Sequence, residues 1–422
     1  MMEATAPPLR ERSSRLANLR HLALSTPWLG QFYALTPIYT ILLQVQVAQF
    51  VAQGSQAAAV GVATGLGGVF ALALPPLVGN WSDGITSRFG RRRPFLVAGS
   101  AGMIAACLVL FTASSYSAVL VGFVGFVAFV NIAGVATFGL VPDVVSGEET
   151  GKASGLLSGM SQLGSVLSLL TLLFLARAGH IRSSYFAIIA VIVVTIVPTL
   201  WAAAGEGLEP PTATAGPRPR LREFLRPLYS GDFGWAFVTR MMTIAGLYSV
   251  LPFLVFMFRD VEHIKDPAAF TSLFELIVTV VAVPLAVAGG LLSDRFGRKR
   301  FVYASGLLFA FVLLIFQVGQ MSTSLVLLLG VVYGLGYGCW GSVDWALGLD
   351  TLPDRSRAAA KDLGLYHIAD SLPRVAVPPI AGLLGDGLNR VQPVLGYRAI
   401  FLLATVFYAA GAVFVTRIRS IR

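Results

Sequence analysis

Five charged side chains lie inside long apolar segments of the second half of this sequence, where a charge is costly and usually functional. They are Arg240, Glu275, Asp344, Asp370 and Arg374. Asp370 and Arg374 are four residues apart, so on a helix they share a face and can pair. Counted from the ends of their segments, Arg240, Asp344 and Asp370 lie at similar shallow depths. We predict a neutral network of two arginines and two aspartates, which either couples a solute to an ion or only holds the helices together.

Glu275 lies toward the other end of its segment, away from both arginines in depth. A carboxyl group in apolar surroundings with no cation beside it suits a group that binds and releases a proton. The alternative is that Glu275 faces water at the mouth of the protein. We predict that Glu275, together with Asp370, Arg374 and Arg240, takes part in proton or ion coupling.

An aromatic stripe leads to one of these carboxylates. Tyr333, Tyr337, Trp340 and Asp344 are four, three and four residues apart, so they fall on one face of a helix. Aromatic faces can stack on a sugar ring while a carboxylate accepts hydrogen bonds from its hydroxyls. The alternative is packing between helices, since glycines lie between the aromatic residues and permit close approach.

Uncharged polar and aromatic side chains of the first half extend this candidate site. Amide side chains both donate and accept hydrogen bonds, which suits a polyhydroxylated neutral solute better than an ion. The residues predicted to bind substrate are Gln46, Gln49, Phe126, Asn131, Tyr333, Tyr337, Trp340 and Asp344.

Composition indicates which elements hold these side chains. The 422 residues are 56% hydrophobic and 12% charged, whereas a soluble protein carries about a quarter charged residues. Most of the surface must therefore face lipid. A helix needs about 20 apolar residues to cross the hydrocarbon core, and the segments are too uniformly apolar for alternating barrel strands. Twelve spans are predicted, at 28–52, 55–79, 94–113, 117–141, 152–178, 184–204, 232–258, 268–292, 300–319, 323–349, 361–385 and 395–416.

The basic residues orient these spans. Of the 31 lysines and arginines, 23 lie on the side shared by the two termini, six lie in the opposite loops and two lie within spans. This asymmetry over short loops predicts a multi-pass protein of the cell membrane with both termini in the cytoplasm. The net charge of +10 does not indicate nucleic-acid binding, because the basic residues are confined to short segments between apolar runs.

Cysteine and histidine use argues against catalytic and metal chemistry. Cys107 and Cys339 both lie in apolar runs, and the four histidines have no ligand spacing. No metal site and no cofactor are predicted. A membrane enzyme would need clustered histidines and carboxylates or a nucleophile constellation, and no nucleotide-binding loop is present. We read no cleavable signal peptide in the first 27 residues.

The sequence repeats itself at half its length. The offset is 211 residues for two motifs and 207 for the one between them. Gly79–Asp83 recurs as Gly290–Asp294, Pro142–Asp143 as Pro353–Asp354, and Arg88–Arg91 as Arg295–Arg298. Parallel repeats of this kind build membrane proteins from two similar halves with a site between them at mid-membrane depth. The predicted domains are a cytoplasmic tail (1–27), two six-helix bundles (28–204 and 232–416) joined by a Pro- and Gly-rich cytoplasmic linker (205–231), and a second tail (417–422).

These repeated loops carry a family resemblance. The strings "DGITSRFGRRR" and "DRFGRKR" resemble the cytoplasmic loop signature of the major facilitator superfamily. The longer "SDGITSRFGRRRPF" and "LVPDVVSGEETGKASG" resemble its sucrose-transporter and glycoside–pentoside–hexuronide:cation symporter branch. The resemblance implies an all-α fold of twelve transmembrane helices in two pseudo-symmetric bundles, with helices 1, 4, 7 and 10 lining a central cavity.

By resemblance, the charged loops close the cytoplasmic side when the protein is open outward. The alternative is that the arginines only fix topology. The predicted cytoplasmic gate comprises Asp83, Arg88, Gly90, Arg91, Arg92, Asp143, Asp294, Arg295, Gly297, Arg298 and Asp354. Unlike the sucrose transporters, this chain has no charged residue in the interior of its first six spans, away from their ends. Their proton coupling therefore does not carry over, and uniport or another ion stays open.

The function expected is secondary or facilitative transport of a small solute, a sugar or glycoside, by alternating access. The remaining alternatives are efflux of lipophilic compounds and a non-transporting sensor or scaffold. The expected partners are the solute, membrane lipid and a proton or other cation if the transport is coupled. No nucleic acid is expected, and a monomer is the default by resemblance.

Overall fold

The computed structural model describes residues 9–85, 89–144, 150–203, 224–229, 231–353 and 359–419, without the side chains of 9–18, 83, 141–144, 150–154 and 359–361. Within these ranges the chain is almost wholly helical. Ten of the twelve long helices are single: α2 Gln56–Gly84, α3 Arg93–Thr112, α4 Tyr116–Val144, α5 Thr150–Arg177, α6 Ser184–Ala202, α8 Pro267–Phe296, α9 Arg298–Ile315, α10 Thr323–Asp350, α11 Ala359–Val391 and α12 Leu395–Val415. The other two, α1 and α7, are broken.

The breaks in α1 and α7 lie at equivalent places in the two halves. In α1, a π-helical turn (Ile38–Leu42) separates Leu9–Pro37 from Leu43–Phe50. In α7, a 3₁₀ turn (Leu251–Phe253) separates Asp232–Val250 from Leu254–Asp260. Adding 211 residues to the break in α1 reaches the break in α7, so the internal repeat extends to the irregular backbone.

Nine of the described helices are long and apolar enough to cross a membrane. The other three are α1, α9 and α11. Helix α9 begins with three basic residues, and α11 carries Asp370 and Arg374 in its middle. Because a helix satisfies its own backbone hydrogen bonds, it can cross hydrocarbon even where a few side chains are polar. The predicted all-α membrane fold is confirmed.

The packing of the helices repeats between the halves. Helix α1 packs against α5 and α6, as α7 packs against α11 and α12. Helices α2 and α3 both pack against α4, as α8 and α9 both pack against α10. This agreement confirms the two pseudo-symmetric six-helix bundles. The exact domain boundaries stay a prediction.

Two tight turns mark one end of the bundle. Gly90 lies between α2 and α3 with φ of 92°, and Gly297 lies between α8 and α9 with φ of 95°. Only glycine adopts this backbone conformation without strain. We call this end the arginine end. The opposite end carries the loops 51–55 and 261–266.

The halves meet through α2 with α11 and through α5 with α8. Along α2, small residues permit the close approach: a Cβ added to Gly68 would lie 3.0 Å from the carbonyl oxygen of Arg374 and from the Cα of Val375. Gly61 and Gly65 similarly face the backbone of α11. Small residues of this kind let membrane helices pack backbone to backbone. The contact runs from the opposite end of α2 to its middle.

Candidate solute-transport site

Three tyrosines and one arginine meet between the halves at mid-membrane depth. Tyr39 follows the first residue of the π turn of α1, and its ring lies 6.0 Å edge-on from the ring of Tyr248 in α7. The guanidinium of Arg374 in α11 lies 5.0 Å from the centre of the Tyr248 ring. Tyr337 of α10 lies within electrostatic range of Arg374. We call these four residues the central site.

Arg374 is partly open in this site. Its side chain is 37% exposed, and one amino group donates to Asp370 Oδ2 at 2.8 Å. Its Nε–H is buried and has no hydrogen-bond partner. A buried donor without a partner is costly.

The predicted Arg–Asp network continues from the central site toward the arginine end. Asp370 lies between two arginines, with its other oxygen 3.7 Å from Arg240. Arg240 in turn forms an ion pair and hydrogen bond with Asp344. All four side chains are therefore in one chain of contacts across α7, α10 and α11. Their formal charges cancel.

Two aromatic rings enclose Arg240. Its guanidinium lies 4.9 Å from the centre of the Tyr366 ring and 5.3 Å from that of Trp345. The Tyr366 hydroxyl lies 3.0 Å from the backbone oxygen of Asp344 and 3.4 Å from its carboxylate. Arginine is weakly hydrated and stacks on aromatic faces, so this enclosure suits it better than lysine.

Among the described residues, Glu275 forms no ion pair with this network. It lies on α8, is 8% exposed, and its Oε2 lies 2.8 Å from the Thr40 hydroxyl of α1. This contact joins the two halves. Its Oε1 is buried without a partner.

The opposite end holds the halves together. Asp386 of α11 accepts hydrogen bonds from the backbone amides of Ala57 (3.3 Å) and Ala58 (2.6 Å) at the start of α2. A carboxylate is favourable at a helix N-terminus, where amides are unpaired. Arg259 of α7 donates to Gln56 of α2 at 2.7 Å. Between described residues, every hydrogen bond joining the halves lies at this end or near mid-depth.

The model of the Major Facilitator Superfamily matches residues 28–361 and, again, 276–421. The chain belongs to the Major Facilitator Superfamily. This is a superfamily of membrane transporters, and we refer to the protein as the transporter.

Solved structures share the fold over nearly the whole length. The nucleoside transporter NupG superimposes with a TM-score of 0.74 at 12% identity, covering 95% of this chain and 99% of NupG. A D-xylose-proton symporter gives 0.69 at 15% identity, covering 94% and 97%. A bacterial homologue of the human lysosomal transporter Spinster, in an inward-facing and occupied conformation, gives 0.69 at 16% identity, covering 97% of each chain. At these identities the likeness shows the fold alone.

One curated relative is similar over part of the chain. The uncharacterized protein YqgE of Bacillus subtilis is 30% identical over 181 residues, which is 41% of the transporter. The match spans about 40% of the length of YqgE.

The predicted amides of the transporter's first half lie away from the central site. Gln46 is 3% exposed and is used within its own half, where it donates to the carbonyl of Leu110 at 2.6 Å and accepts from Tyr185 at 2.9 Å. Gln49 is exposed near the opposite end and accepts from Arg182 at 2.6 Å.

The other two substrate-binding candidates of the first half are also engaged locally. Asn131 donates to the carbonyl of Val127, one turn back in α4, at 2.8 Å. Phe126 is fully buried in the hydrophobic core. Neither is among the residues that the structure brings together around Arg374.

The rings of the aromatic stripe of α10 follow one another, with centres 6.4 Å apart for Tyr333 and Tyr337 and 6.2 Å apart for Tyr337 and Trp340, but their other contacts differ. The Tyr333 hydroxyl is 2.7 Å from that of Tyr408 in α12, and its ring is 4.7 Å from Phe309 in α9, so Tyr333 packs inside the second half. Trp340 is 7% exposed, with an indole N–H that has no partner. Only Tyr337 of the three belongs to the central site.

Two ion pairs of the predicted gate in the second half stay within that half. Arg298 pairs with Asp294 at 2.9 Å and with Asp350 at 2.6 Å, all in the second half. Arg295 lies 5.7 Å from the ring of its neighbour Phe296. The gate function stays a prediction.

In the first half, Arg92 is 9% exposed and donates to Ser82, while Arg91 lies beside it in the turn at Gly90. The remaining gate residues lie outside the description: Arg88 and Asp354 wholly, Asp83 and Asp143 in their side chains.

Sequence reasoning missed Tyr248, Thr40 and Tyr366 and did not select Tyr39 for the site. Each is an ordinary residue of an apolar segment, and only the rotation of its helix brings it to Arg374, Glu275 or Asp344. Within the described residues, no group of three or more His, Cys, Asp or Glu could hold a metal ion.

Proposed function

We propose that this transporter moves a small polar solute, a sugar or glycoside, across the cell membrane by alternating access, together with a proton or other cation. The central site carries the proposal. It combines tyrosine rings on α1, α7 and α10 with a guanidinium whose Nε–H is unpaired.

This combination suits a sugar. A sugar ring has apolar faces that stack on aromatic rings and hydroxyls that accept hydrogen bonds from a guanidinium and exchange them with tyrosine hydroxyls. Since Arg374 is already neutralised by Asp370, a neutral solute can bind without adding an uncompensated charge. The central site also draws on both halves, through Tyr39 and the other three residues, as a site at a repeat interface does.

The distribution of contacts supports alternating access. Hydrogen bonds between described residues of the two halves lie at the opposite end or near mid-depth, and described ion pairs at the arginine end stay within one half. Together with the basic residues of the loops, this supports a conformation closed to the outside, with the arginine end in the cytoplasm. The D-xylose-proton symporter, which has the same fold, gives a precedent for sugar and proton transport.

Efflux of lipophilic compounds is the second candidate. The observation that favours it is the aromatic character of the central site, where three tyrosines surround one cation. A planar apolar compound would stack on the same rings but would leave the Nε–H of Arg374 unpaired, which disfavours this candidate.

Uptake of labelled sugars into proteoliposomes tests the proposal. The purified transporter is reconstituted, and accumulation of a panel of labelled mono- and disaccharides is measured with and without an imposed pH gradient. Arg374→Lys should reduce uptake about tenfold or more, since a hydrogen bond to a charged group is worth about 1.5–3 kcal/mol. Tyr337→Phe should reduce uptake about two- to tenfold, since a bond between neutral groups is worth about 0.5–1.5 kcal/mol. Tyr333→Phe is the matched control, because its hydroxyl contacts Tyr408.

Accumulation that needs the gradient, with Tyr337→Phe impaired and Tyr333→Phe unimpaired, is the expected result. Equal loss in both tyrosine variants would remove the central site from the solute path. Absence of flux for every sugar, with expulsion of a hydrophobic dye, would favour efflux.

A further inference from the structure

Two short oxygen–oxygen contacts meet at the hydroxyl of Thr40. Thr40 Oγ1 lies 2.9 Å from the carbonyl oxygen of Thr36, one turn back in α1, and 2.8 Å from Glu275 Oε2 on α8. Thr40 is 5% exposed and Glu275 is 8% exposed. At these distances both contacts are hydrogen bonds, and two separate, full-strength bonds need two hydrogens.

The number of hydrogens available for these two contacts depends on whether Glu275 is protonated. A threonine hydroxyl has one hydrogen, a backbone carbonyl has none, and an ionised carboxylate only accepts. With Glu275 ionised, the single hydroxyl hydrogen of Thr40 would have to serve both contacts. Both hydrogen bonds would then be weakened. With Glu275 protonated, its O–H donates to Thr40 Oγ1 and the Thr40 hydroxyl donates to Thr36, so both contacts are satisfied.

The surroundings of Glu275 supply no charge to stabilise an ionised form. Within the described part of the chain it forms no ion pair, and its Oε1 is buried without a hydrogen bond. Neighbouring groups are neutral: the ring of Phe258 from α7 packs against the rings of Phe270 and Phe274 from α8, and Tyr337 is the titratable group that α10 presents. Along 155–176, α5 carries no charged residue, and α1 presents only tyrosines as titratable groups near the contact. Burying an uncompensated charge here would be costly.

We propose that Glu275 is a proton site whose occupancy controls the contact between the halves. A proton on Oε2 completes the bond to Thr40 and holds α8 of the second half against the π turn of α1. When that proton is lost to water, the charged carboxylate shares the single Thr40 hydrogen with the carbonyl of Thr36 and lies in apolar surroundings. The opposite end then opens, and water hydrates the carboxylate. Proton binding from the outside therefore closes the outside. This inference rests on the proposed alternating access but not on the identity of the solute.

Distance measurements between spin labels test this proton site without any solute. Labels at Ala52→Cys and Lys265→Cys, in exposed loops of the two halves at the opposite end, are placed in a Cys107→Ala, Cys339→Ala background. The full chain is studied in lipid nanodiscs from about pH 5 to about pH 9. One proton can change the ratio of long to short distances by at most about tenfold per pH unit. We expect this ratio to rise with pH.

Matched variants test whether Glu275 and Thr40 cause the pH dependence of the distance ratio. Glu275→Gln is neutral and can donate to Thr40 Oγ1, so the short distance should persist at every pH. Thr40→Val should raise the long-distance fraction, whereas Thr40→Ser keeps the hydroxyl and should restore the pH dependence. Glu262→Gln, a buried carboxyl of the opposite-end loop, should leave the pH dependence unchanged.

The proposal would be overturned if the pH dependence were absent, if it persisted in Glu275→Gln, or if Glu262→Gln abolished it. The infrared band of a protonated carboxyl gives a second measurement that needs no conformational change. The band should be present at neutral pH and missing in Glu275→Gln; its absence in the unsubstituted protein would also overturn the proposal. Sugar uptake that continues in either case would leave the proposed transport function standing.

Discussion

The two halves share one helix arrangement but stabilise their interior polar groups differently. In the first half, pairs in the middle of the bundle are neutral: Gln31 donates to Thr137 at 3.0 Å, and Tyr33 donates to Thr171 at 2.8 Å. In the second half, ion pairs link the four members of the Arg–Asp network. The repeat therefore conserves packing without conserving the chemistry of the interior.

The difference separates two roles. A neutral hydrogen-bonded pair stays satisfied whatever protons or solutes are nearby, so the first half can serve as a frame. A buried ionic network is stable only while its charges balance, because removing one partner leaves a charge in a dry site. A solute or ion that changes this balance must change the geometry of the second half. We infer that the responses to solute and ion are concentrated there.

The largest effect should come from unbalancing the network. Asp344→Ala leaves Arg240 with the 3.7 Å contact to Asp370 as its one ion pair among the described residues and should lower the free energy of unfolding by about 3–5 kcal/mol. Replacing both partners, as in Arg240→Met with Asp344→Leu, should cost clearly less. Thermal unfolding in detergent, followed by size-exclusion chromatography with fluorescence detection, measures both. If the double variant is as unstable as Asp344→Ala, charge balance is not the cause.

A neutral pair of the first half should matter less. Gln46→Leu removes the partner of the buried Tyr185 hydroxyl and of the Leu110 carbonyl, at a cost of about 1–3 kcal/mol. The control is Gln49→Leu, since Gln49 is exposed and its bond to Arg182 is in water. The same unfolding assay applies. A loss from Gln46→Leu equal to that from Asp344→Ala would erase the contrast between the halves.

Ion pairs at the arginine end should contribute little despite their good geometry. Arg298 bonds to Asp294 and Asp350, but these side chains are 25%, 63% and 29% exposed. Exposed pairs are worth about 0–1 kcal/mol, so Arg298→Gln should shift unfolding only slightly and less at high salt. A shift as large as that of Asp344→Ala would show that exposure does not set the contribution.

The smallest effect should be a change in pH dependence at Glu262. Burial raises the pKa of the Glu262 carboxyl above its ordinary 4.5, although the amide of Met321 and His263 act in the other direction. A raised pKa means that the folded protein binds the proton more tightly. Its stabilising contribution is present below 4.5 and is lost as pH rises through the folded pKa. Compared with Glu262→Gln, the unsubstituted protein should therefore lose stability over that interval, measured as unfolding temperature against pH.

The fold was predictable from sequence because its determinants are additive along the chain. The length of the spans, their uniform apolarity and the repeated Gly-containing turns can each be recognised from local sequence, without knowing which distant residues are in contact. The Arg240–Asp344–Asp370–Arg374 cluster was predictable for a related reason, since buried charges must find partners and few were available.

The solute-facing residues were less predictable because their environment depends on helix rotation. By sequence alone, Gln46 and Tyr337 are equally good candidates for binding the solute. In the structure, Gln46 accepts a hydrogen bond from Tyr185 inside its own half, whereas Tyr337 lies within electrostatic range of Arg374. Tyr333 shares a predicted face with Tyr337, but it turns to Tyr408. One face of a helix is broad enough to contact two neighbouring helices. Residue spacing does not show which neighbour each side chain contacts.

The breaks in α1 and α7 are joined by a single side chain. Gln44 donates one amide hydrogen to the carbonyl of Tyr39, in the π turn, and the other to the carbonyl of Pro252, in the 3₁₀ turn, each at 3.1 Å. Neither helix can straighten or bend further at its break without withdrawing an acceptor from this amide in a dry interior. The two halves are thus constrained to deform together, and a state in which only one of them has bent is penalised by an unpaired N–H.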